Sequence, residues 1–297
     1  MVHIIFTLLF ILINYSYIKI WKKNFKKTPT GAGIFLIIPL TYFIIALNQS
    51  HLYFLILVLF SIIYFFDDLI TINFIWRIIL QILTPIIIYL SIYQLDIFLI
   101  IFNVLIFFIL VNTLNFQDGE DLNLTSLLLM IFLIFYFYSD NLVVKNTSIL
   151  IINYLTIFGF FNAKKNNLYL GDTGCFVISI IILLLTLLDI NNFLLLNLLL
   201  SIIIFPLVDV FLVVFYRIFK KENLIARNYY HIYQLLAKKM KFKLYLFPNI
   251  LMALINSYIL LNFMFSLNLC FILIFVNVFA NAIIRLIVYK FGIQNEN

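Results

Sequence analysis

Carboxylate side chains, which can hold divalent cations or move protons, occur in two short motifs of this sequence. Asp67 and Asp68 are adjacent at the end of an apolar run, and Asn115, Asp118 and Asp121 follow at intervals of three residues. Residues three apart share one face of a continued helix, so these side chains could lie together. Mg²⁺ is usually held by a few carboxylates together with substrate phosphates. The motifs predict a site for a divalent cation or for proton transfer, with a solvated helix end and a polar turn as the alternatives.

A third acidic motif, Leu170–Gly174, lies directly before another apolar run. Asp172 or Thr173 can cap the helix that begins there, and the amides of a helix N-terminus favour phosphate. A cap accounts for one polar residue but not for both Gly171 and Gly174, because the chain has only seven glycines. We therefore expect a metal or phosphate site here rather than a cap alone.

Basic side chains suited to phosphate lie in three further segments. Lys27 precedes the turn Pro29–Gly33, which we expect to expose its backbone and which predicts either a phosphate site or a plain basic loop. Arg77 predicts either a phosphate contact or an anchor at the inner end of a span. Arg227 and His231 are predicted to face a substrate, whereas the lysines from 238 to 243 suit anionic lipid headgroups.

Two other pairs of residues bear on the site. Asp209 and Arg217 are eight residues apart, about two helical turns, so they are predicted to share a helix face and to organise its inner end. Cys175 and Cys270 both lie inside apolar runs. The two cysteines therefore predict neither a disulfide framework nor a metal-binding motif.

The composition indicates which elements must position these residues. Of 297 residues, 66% are hydrophobic and 10% are charged, and the mean hydropathy is +1.18. A soluble domain is near half apolar and a quarter charged, so a water-soluble globule is excluded. One membrane span needs roughly 20 apolar residues. We predict an all-α, polytopic membrane protein, a single domain over residues 1–297, with eleven spans near residues 2–20, 34–48, 51–66, 76–93, 97–113, 123–138, 142–160, 174–188, 193–216, 244–265 and 269–289.

The distribution of charge predicts the orientation of the spans. No basic segment precedes the first span, so it is expected to be retained rather than cleaved as a signal. Cytoplasmic loops carry an excess of Lys and Arg. With the N-terminus outside and the C-terminus cytoplasmic, Lys145 is the only basic residue on the outer side. Most acidic residues fall on the inner side too, which predicts a metal and anionic-substrate site at the cytoplasmic face.

Five motifs of this sequence, and their order along the chain, resemble those of the polyprenyl-phosphate N-acetylhexosamine-1-phosphate transferases. These are integral membrane enzymes of the glycosyltransferase family 4 type. The resemblance covers roughly residues 27–234. Each motif alone is weak, but all five fall in predicted inner loops. They are the turn Pro29–Gly33, the pair Asp67 and Asp68 with Arg77, the run Asn112–Asp121, the single residue Asn162, and the turn Leu170–Gly174.

The resemblance implies a role for each matching residue. Asp172 resembles the principal Mg²⁺ ligand, with Asn115 and Asp118 beside it, and Mn²⁺ is the other cation that we expect the site to accept. Tyr169 aligns with a position of the uridine pocket, where an aromatic face could stack on uracil. His231 aligns with the first histidine of the family's His-rich loop. The expected substrate-binding set is Lys27, Arg77, Asn115, Gly119, Asp121, Asn162, Tyr169 and Arg227, and the expected catalytic set is Asp67, Asp68, Asp118 and His231.

The sequence departs from the family pattern at two places, and the second of them indicates a branch of the family. Leu122 stands where the family usually has Gly, and His231–Gln234 replaces the His-x-His-His of many members. This segment is more similar to the branch that initiates O-antigen or related surface polysaccharides. The resemblance implies transfer of an N-acetylhexosamine 1-phosphate from a UDP-sugar to undecaprenyl phosphate, with release of UMP, in the bacterial inner membrane.

The chemistry of the acceptor bears on the role of the paired acids. A phosphate monoester has a second pKa of about 6, so the lipid phosphate is largely ionised at neutral pH. We therefore predict that Asp67 and Asp68 position the lipid phosphate or the metal rather than act as an obligatory base.

Two other function classes are open at this point. A secondary transporter or lipid flippase would use carboxylates near mid-membrane and tends to have inverted repeats; we find no repeat and, within the spans, only Asp209. A membrane-anchored scaffold leaves the Asp-Gly motifs unexplained. The expected partners are the UDP-sugar, polyprenyl phosphate and the lipid bilayer; no nucleic-acid partner is expected, and a homodimer is one option for the assembly.

Overall fold

Helices account for the regular structure of this protein. The computed structural model describes residues 2–25, 27–47, 51–70, 72–164, 167–223, 229–239, 244–262 and 267–292. Within these ranges there is no β-strand, which confirms the all-α prediction. The α-helices are α1 (Val2–Asn24), α2 (Ile37–Ala46), α3 (His51–Ile70), α4 (Phe74–Ile92), α5 (Ile97–Gln117), α6 (Asn123–Tyr138), α7 (Leu142–Asn162), α8 (Gly171–Leu188), α9 (Phe193–Phe219), α10 (Ile232–Lys239), α11 (Phe247–Asn262) and α12 (Leu267–Gly292), with short 3₁₀ helices at Ala32–Leu36 and Leu244–Leu246.

Among the described residues, eight helices are long and apolar enough to cross a membrane, namely α1, α3, α4, α5, α7, α8, α9 and α12. Three shorter apolar helices, Ala32–Ala46, Asn123–Tyr138 and Phe247–Asn262, fall at the other predicted spans. Large apolar side chains face outward, as on α1, where Ile4 is 65% and Leu12 is 64% exposed. Only lipid could cover such a surface favourably, so the chain is an integral membrane protein. The orientation of its termini stays a prediction.

The chain forms two compact units, Met1–Asn192 and Phe193–Asn297. In the first unit α8 is the central helix, packed against α3, α4, α5 and the 3₁₀ helix Ala32–Leu36. In its apolar stretch 83% of the residues are buried, against 17% for α1. In the second unit α9 packs on α11 and α12, and α10 packs on α12. Polar groups at the N-terminus of α8 are therefore surrounded by four other elements.

Three local boundaries differ from the sequence predictions. α5 ends at Gln117 with Asp118 as its C-cap, so Asp121 does not continue the face of Asn115, and the expected single helix face is wrong. α8 begins at Gly171 rather than near residue 174. α10 was not predicted, because its eight residues include Lys238 and Lys239 and form no apolar run.

Candidate functional site

Arg77 of α4 joins two carboxylates of the first unit. Its Nε and Nη2 lie 2.6 Å and 2.9 Å from the two oxygens of Asp67, and its Nη1 lies 3.0 Å from Oδ2 of Asp172. Such a bidentate pair fixes direction as well as distance. Asp172 also hydrogen-bonds the side chain of Asn115. Arg77 therefore orients the carboxyl of Asp172, and a direct substrate contact by Arg77 stays a prediction.

Asp68 caps α8 from another helix. Its carboxylate accepts the backbone N–H of Asp172 at 3.1 Å and that of Thr173 at 3.0 Å, and it also accepts the Thr173 hydroxyl. Thr30 donates a further hydrogen bond at 3.2 Å. A negative charge at a helix N-terminus is favoured by the helix dipole. The alternative that Asp172 or Thr173 caps this helix is thus excluded, since α8 has no side-chain cap of its own.

Asp118 binds the turn that leads into α8. Its Oδ2 accepts the N–H of Gly171 at 2.7 Å, and its carboxyl also bonds the backbone of Leu170. Burial raises the pKa of Asp118 to about 8; the Gly171 hydrogen bond lowers it in part, and the charges of Asp68 and Asp172 raise it further. Between them, Asp68 and Asp118 take the amides of residues 170–173. The expected phosphate site on these amides is therefore filled by the protein's own carboxylates.

The two glycine-containing turns lock together. Gly33 and Tyr169 donate backbone hydrogen bonds to Leu170 and Pro29 respectively, at 3.1 Å and 2.9 Å. A Cβ placed on Gly33 would lie 1.9 Å from the Cα of Gly174, so neither position has room for a side chain. The turn at residues 29–33 is closed and largely buried. The expectation of an exposed backbone here is wrong, because this backbone is the support on which the α8 turn rests.

The loop after α5 is held by Asn162. Asn162 accepts the N–H of Leu122 through Oδ1 at 2.5 Å and donates to the carbonyl of Leu168 at 2.6 Å. Leu122 has φ +64°, the left-handed region that favours glycine and in which a non-glycine residue is strained. Tyr169 donates to Asp121 at 3.4 Å, and burial raises the pKa of its hydroxyl, which keeps it a donor. Asn162 therefore positions the residues expected to bind uridine.

A small cavity of about 70 Å³ adjoins the Arg77–Asp172 pair. Its polar lining comes from Tyr64, Arg77, Gln81, Asn112, Asn115 and Asp172. Phe74 and Phe108 also line it and are 49% and 40% exposed on the surface of α4 and α5. The cavity thus joins the acidic cluster to an apolar outer surface.

Four carboxyl groups surround the start of α8, those of Asp67, Asp68, Asp118 and Asp172. Arg77 forms ion pairs with two of them, Asp67 and Asp172. Among the described residues, no three His, Cys, Asp or Glu side chains form a group that could hold a metal unaided. Mg²⁺ commonly takes one or two carboxylates and completes its shell with water and substrate phosphates. The expected ligands are the carboxylates of Asp172 and Asp118 and the side-chain amide of Asn115. These oxygen donors, in a cluster with excess negative charge, fit such an ion.

Residues 50–190 match the family model for glycosyl transferase family 4. This region belongs to glycosyl transferase family 4. None of the curated proteins matches the chain significantly. The matched range contains the whole acidic cluster and Asn162, Tyr169 and Arg77. The match to this family supports a transferase function, in which a sugar phosphate is moved to a lipid acceptor in a membrane.

Three predicted site residues lie outside the range matched to glycosyl transferase family 4. Lys27 is exposed, and its carbonyl accepts a hydrogen bond from Trp21 at 3.1 Å. His231 belongs to the second unit, where it is buried beside Asp209. Arg227 lies outside the described residues. Within the matched range, the structure gathers six of the predicted residues around the start of α8: Asp67, Asp68, Arg77, Asn115, Asp118 and Asp172.

The predicted pairing of Asp209 with Arg217 is wrong. Asp209 contacts His231 and Arg285, whereas Arg217 pairs with Glu222 at 3.5 Å, so the two residues do not act together as predicted. Thr30 and Thr173, which bind Asp68, were not named as site residues. Both belong to glycine-containing motifs that were recognised, and a Thr beside a Gly in each was the available signal.

Replacing Asp68 with asparagine is expected to lower the free energy of unfolding by about 1–3 kcal/mol, because the cap of α8 loses its charge. Sugar-phosphate transfer should fall at every pH, without recovery as the pH rises, if Asp68 positions α8 rather than accepting a proton. Thermal unfolding and a pH–rate profile of the purified variant measure both. Recovery of activity at high pH would contradict the positioning role.

Proposed function

We propose that the protein transfers an N-acetylhexosamine 1-phosphate from a UDP-sugar to undecaprenyl phosphate. The products are the polyprenyl-diphosphate sugar and UMP, in the first membrane step of a cell-surface glycan such as O-antigen. The observation that carries this proposal is the position of Asp172, fixed by Arg77 and Asn115 at the start of α8 within the family-matched range. The bacterial inner membrane is the proposed location.

In this reaction an oxygen of the lipid phosphate attacks the sugar-linked phosphorus, and the bond between the two phosphates of the UDP-sugar breaks. Asp172, Asn115 and Asp118 are the residues that would hold Mg²⁺ or Mn²⁺. When bound, such an ion neutralises charge on the pyrophosphate and on the leaving UMP. The lipid phosphate is already ionised at neutral pH, so the step needs positioning more than a base.

The other residues supply that positioning. Arg77 holds Asp172 in direction, while Asp68 and Asp118 hold the turn on which it sits. Tyr169 and Asp121, whose side chains are joined by a hydrogen bond of 3.4 Å, are the residues proposed to bind the uridine. The cavity between α4 and α5 suits the phosphate end of a lipid, because its floor is polar and Phe74 and Phe108 give it an apolar approach.

Purified protein in lipid nanodiscs, given undecaprenyl phosphate, Mg²⁺ and a panel of UDP-N-acetylhexosamines, is expected to release UMP with at least one sugar. Chelation with EDTA should stop the release, and added Mg²⁺ should restore it. Omitting the lipid phosphate is the control for plain hydrolysis. No release with any sugar would overturn the proposed function.

A further inference from the structure

A second buried polar cluster lies in the unit Phe193–Asn297, around Asp209 of α9. One oxygen of Asp209 lies 2.9 Å from Nδ1 of His231. The other accepts hydrogen bonds from Nη2 of Arg285 at 2.7 Å and from the side chain of Asn281 at 3.1 Å. Asp209 and His231 are each 2% exposed, and Asn281 is fully buried. A carboxylate so deep in a membrane protein is costly unless its partners are fixed.

The same cluster also fixes the backbone on both sides of His231. Arg285 donates from Nη1 to the carbonyl of Tyr230 at 2.8 Å and from Nε to Asn281 at 2.7 Å. The N–H of Ile232 is directed at both oxygens of Asp209, at 3.3 Å and 3.4 Å. An ion pair that only stabilised the packing of α9 on α12 would not need these contacts at residues 230 and 232. They restrict how the imidazole of His231 can turn.

The partners of Asp209 determine which nitrogen of His231 carries a proton. Arg285, Asn281 and the Ile232 amide all donate to Asp209, so its carboxylate acts as an acceptor throughout. Nδ1 of His231 faces the same carboxylate and must therefore be its N–H donor. In this tautomer Nε2 is the acceptor nitrogen of the ring.

We propose that Asp209, Asn281 and Arg285 are positioning residues that hold His231 as its Nδ1–H tautomer, in which Nε2 is the acceptor nitrogen of the ring. The expected effect on the rate rests on the proposed function, whereas the tautomer itself does not. The cluster gives Arg285 a role in orienting His231, acting through Asp209. Carboxylates and carbonyls fix the working nitrogen of functional histidines in the same way.

The tautomer is tested by ¹⁵N NMR of the full chain in nanodiscs. The sequence has three histidines, so the double variant His3→Gln, His51→Gln leaves His231 as the single labelled imidazole. At a pH where the imidazole is neutral, we expect a protonated Nδ1 and a bare Nε2. Asp209→Asn should give a mixture of tautomers. A bare Nδ1 before substitution, or an unchanged spectrum after it, would overturn the proposal.

The functional consequence is tested by kinetics. Asp209→Asn and Arg285→Ala are expected to lower kcat on the order of 10- to 100-fold with little change in KM. Arg285 lines a cavity of about 410 Å³, so added guanidinium ion has room to enter the Ala variant and restore part of its kcat. An unchanged kcat in Asp209→Asn, or a higher KM with no change in kcat, would contradict a positioning role.

Asn277→Ala is the matched control for loss of buried polar contacts in the same unit. It removes the hydrogen bonds between Asn256 and Asn277, at 2.8 Å and 3.1 Å, one helical turn from Asn281. It should lower stability while leaving the His231 tautomer and kcat unchanged. An equal fall in kcat would mean that the cluster acts through stability. If the unsubstituted protein transfers no sugar phosphate, the proposed function fails, whereas the NMR result still decides the tautomer.

Discussion

Replacing Asp172 with asparagine is expected to lower the rate of sugar-phosphate transfer on the order of 10³-fold, the scale of removing one preorganised charge contact from a transition state. Asp172 lies 3.0 Å from Arg77, is bonded to Asn115, and is the proposed principal ligand of the cation. An asparagine has nearly the same size but no charge to offer that ion. UMP release by the purified variant measures the loss, and its melting temperature checks that it is folded.

Asp96→Asn is the matched control. Asp96 is exposed and caps α5 by accepting the N–H of Leu99 at 3.2 Å, a task that asparagine performs as well. Transfer by this variant should equal that of the unsubstituted protein. If Asp172→Asn kept more than about a tenth of the activity, or if the control lost as much, Asp172 would not be the centre of the site.

The second large effect is expected for Gly33→Ala. The added methyl group would lie 1.9 Å from the Cα and 2.5 Å from the N of Gly174, which are backbone atoms of the turn that carries Asp172. Backbone on both sides cannot yield as a flexible side chain can, so the free energy of unfolding should fall by about 3 kcal/mol or more. Thermal unfolding in detergent measures this, and transfer should fall because Asp172 moves with its turn.

Gly159→Ala provides the comparison. Gly159 is buried inside α7, but a Cβ there would meet side-chain atoms of Thr125 and Leu122 at 3.5 Å and 3.6 Å, which is ordinary contact. Alanine also favours a helix interior by about 1 kcal/mol over glycine. This variant should unfold at the same temperature or higher. Equal losses in the two variants would show that the contact of Gly33 with Gly174 has no special importance.

Much of the site could be predicted from the sequence because charged residues are energetically unfavourable in so apolar a chain. In a chain with 10% charged residues, carboxylates beside glycines stand out, and the motifs around Asp68, Asp118 and Asp172 do gather at one helix end. The apolar runs likewise predicted the helices, since a span needs a fixed length of apolar residues. Composition and spacing therefore located the cluster.

The division of labour inside the cluster could not be predicted. Asp68 and Asp172 are 104 residues apart, and no local pattern indicates that one caps the helix of the other. A carboxylate that caps a helix and one that holds a metal look the same in a sequence. For the same reason Asp209 was paired with Arg217 on its own helix, whereas its partners His231 and Arg285 come from other segments.

The central claim is that a sugar phosphate, rather than a sugar alone, moves to a lipid. A UDP-N-acetylhexosamine labelled with ³²P in its β-phosphate distinguishes the two reactions when it is incubated with the protein, Mg²⁺ and undecaprenyl phosphate. The label should enter the lipid fraction in equal amount to the UMP released, and Asp172→Asn should prevent both. Label remaining in water as UDP while sugar enters the lipid, or no label in the lipid at all, would contradict the account.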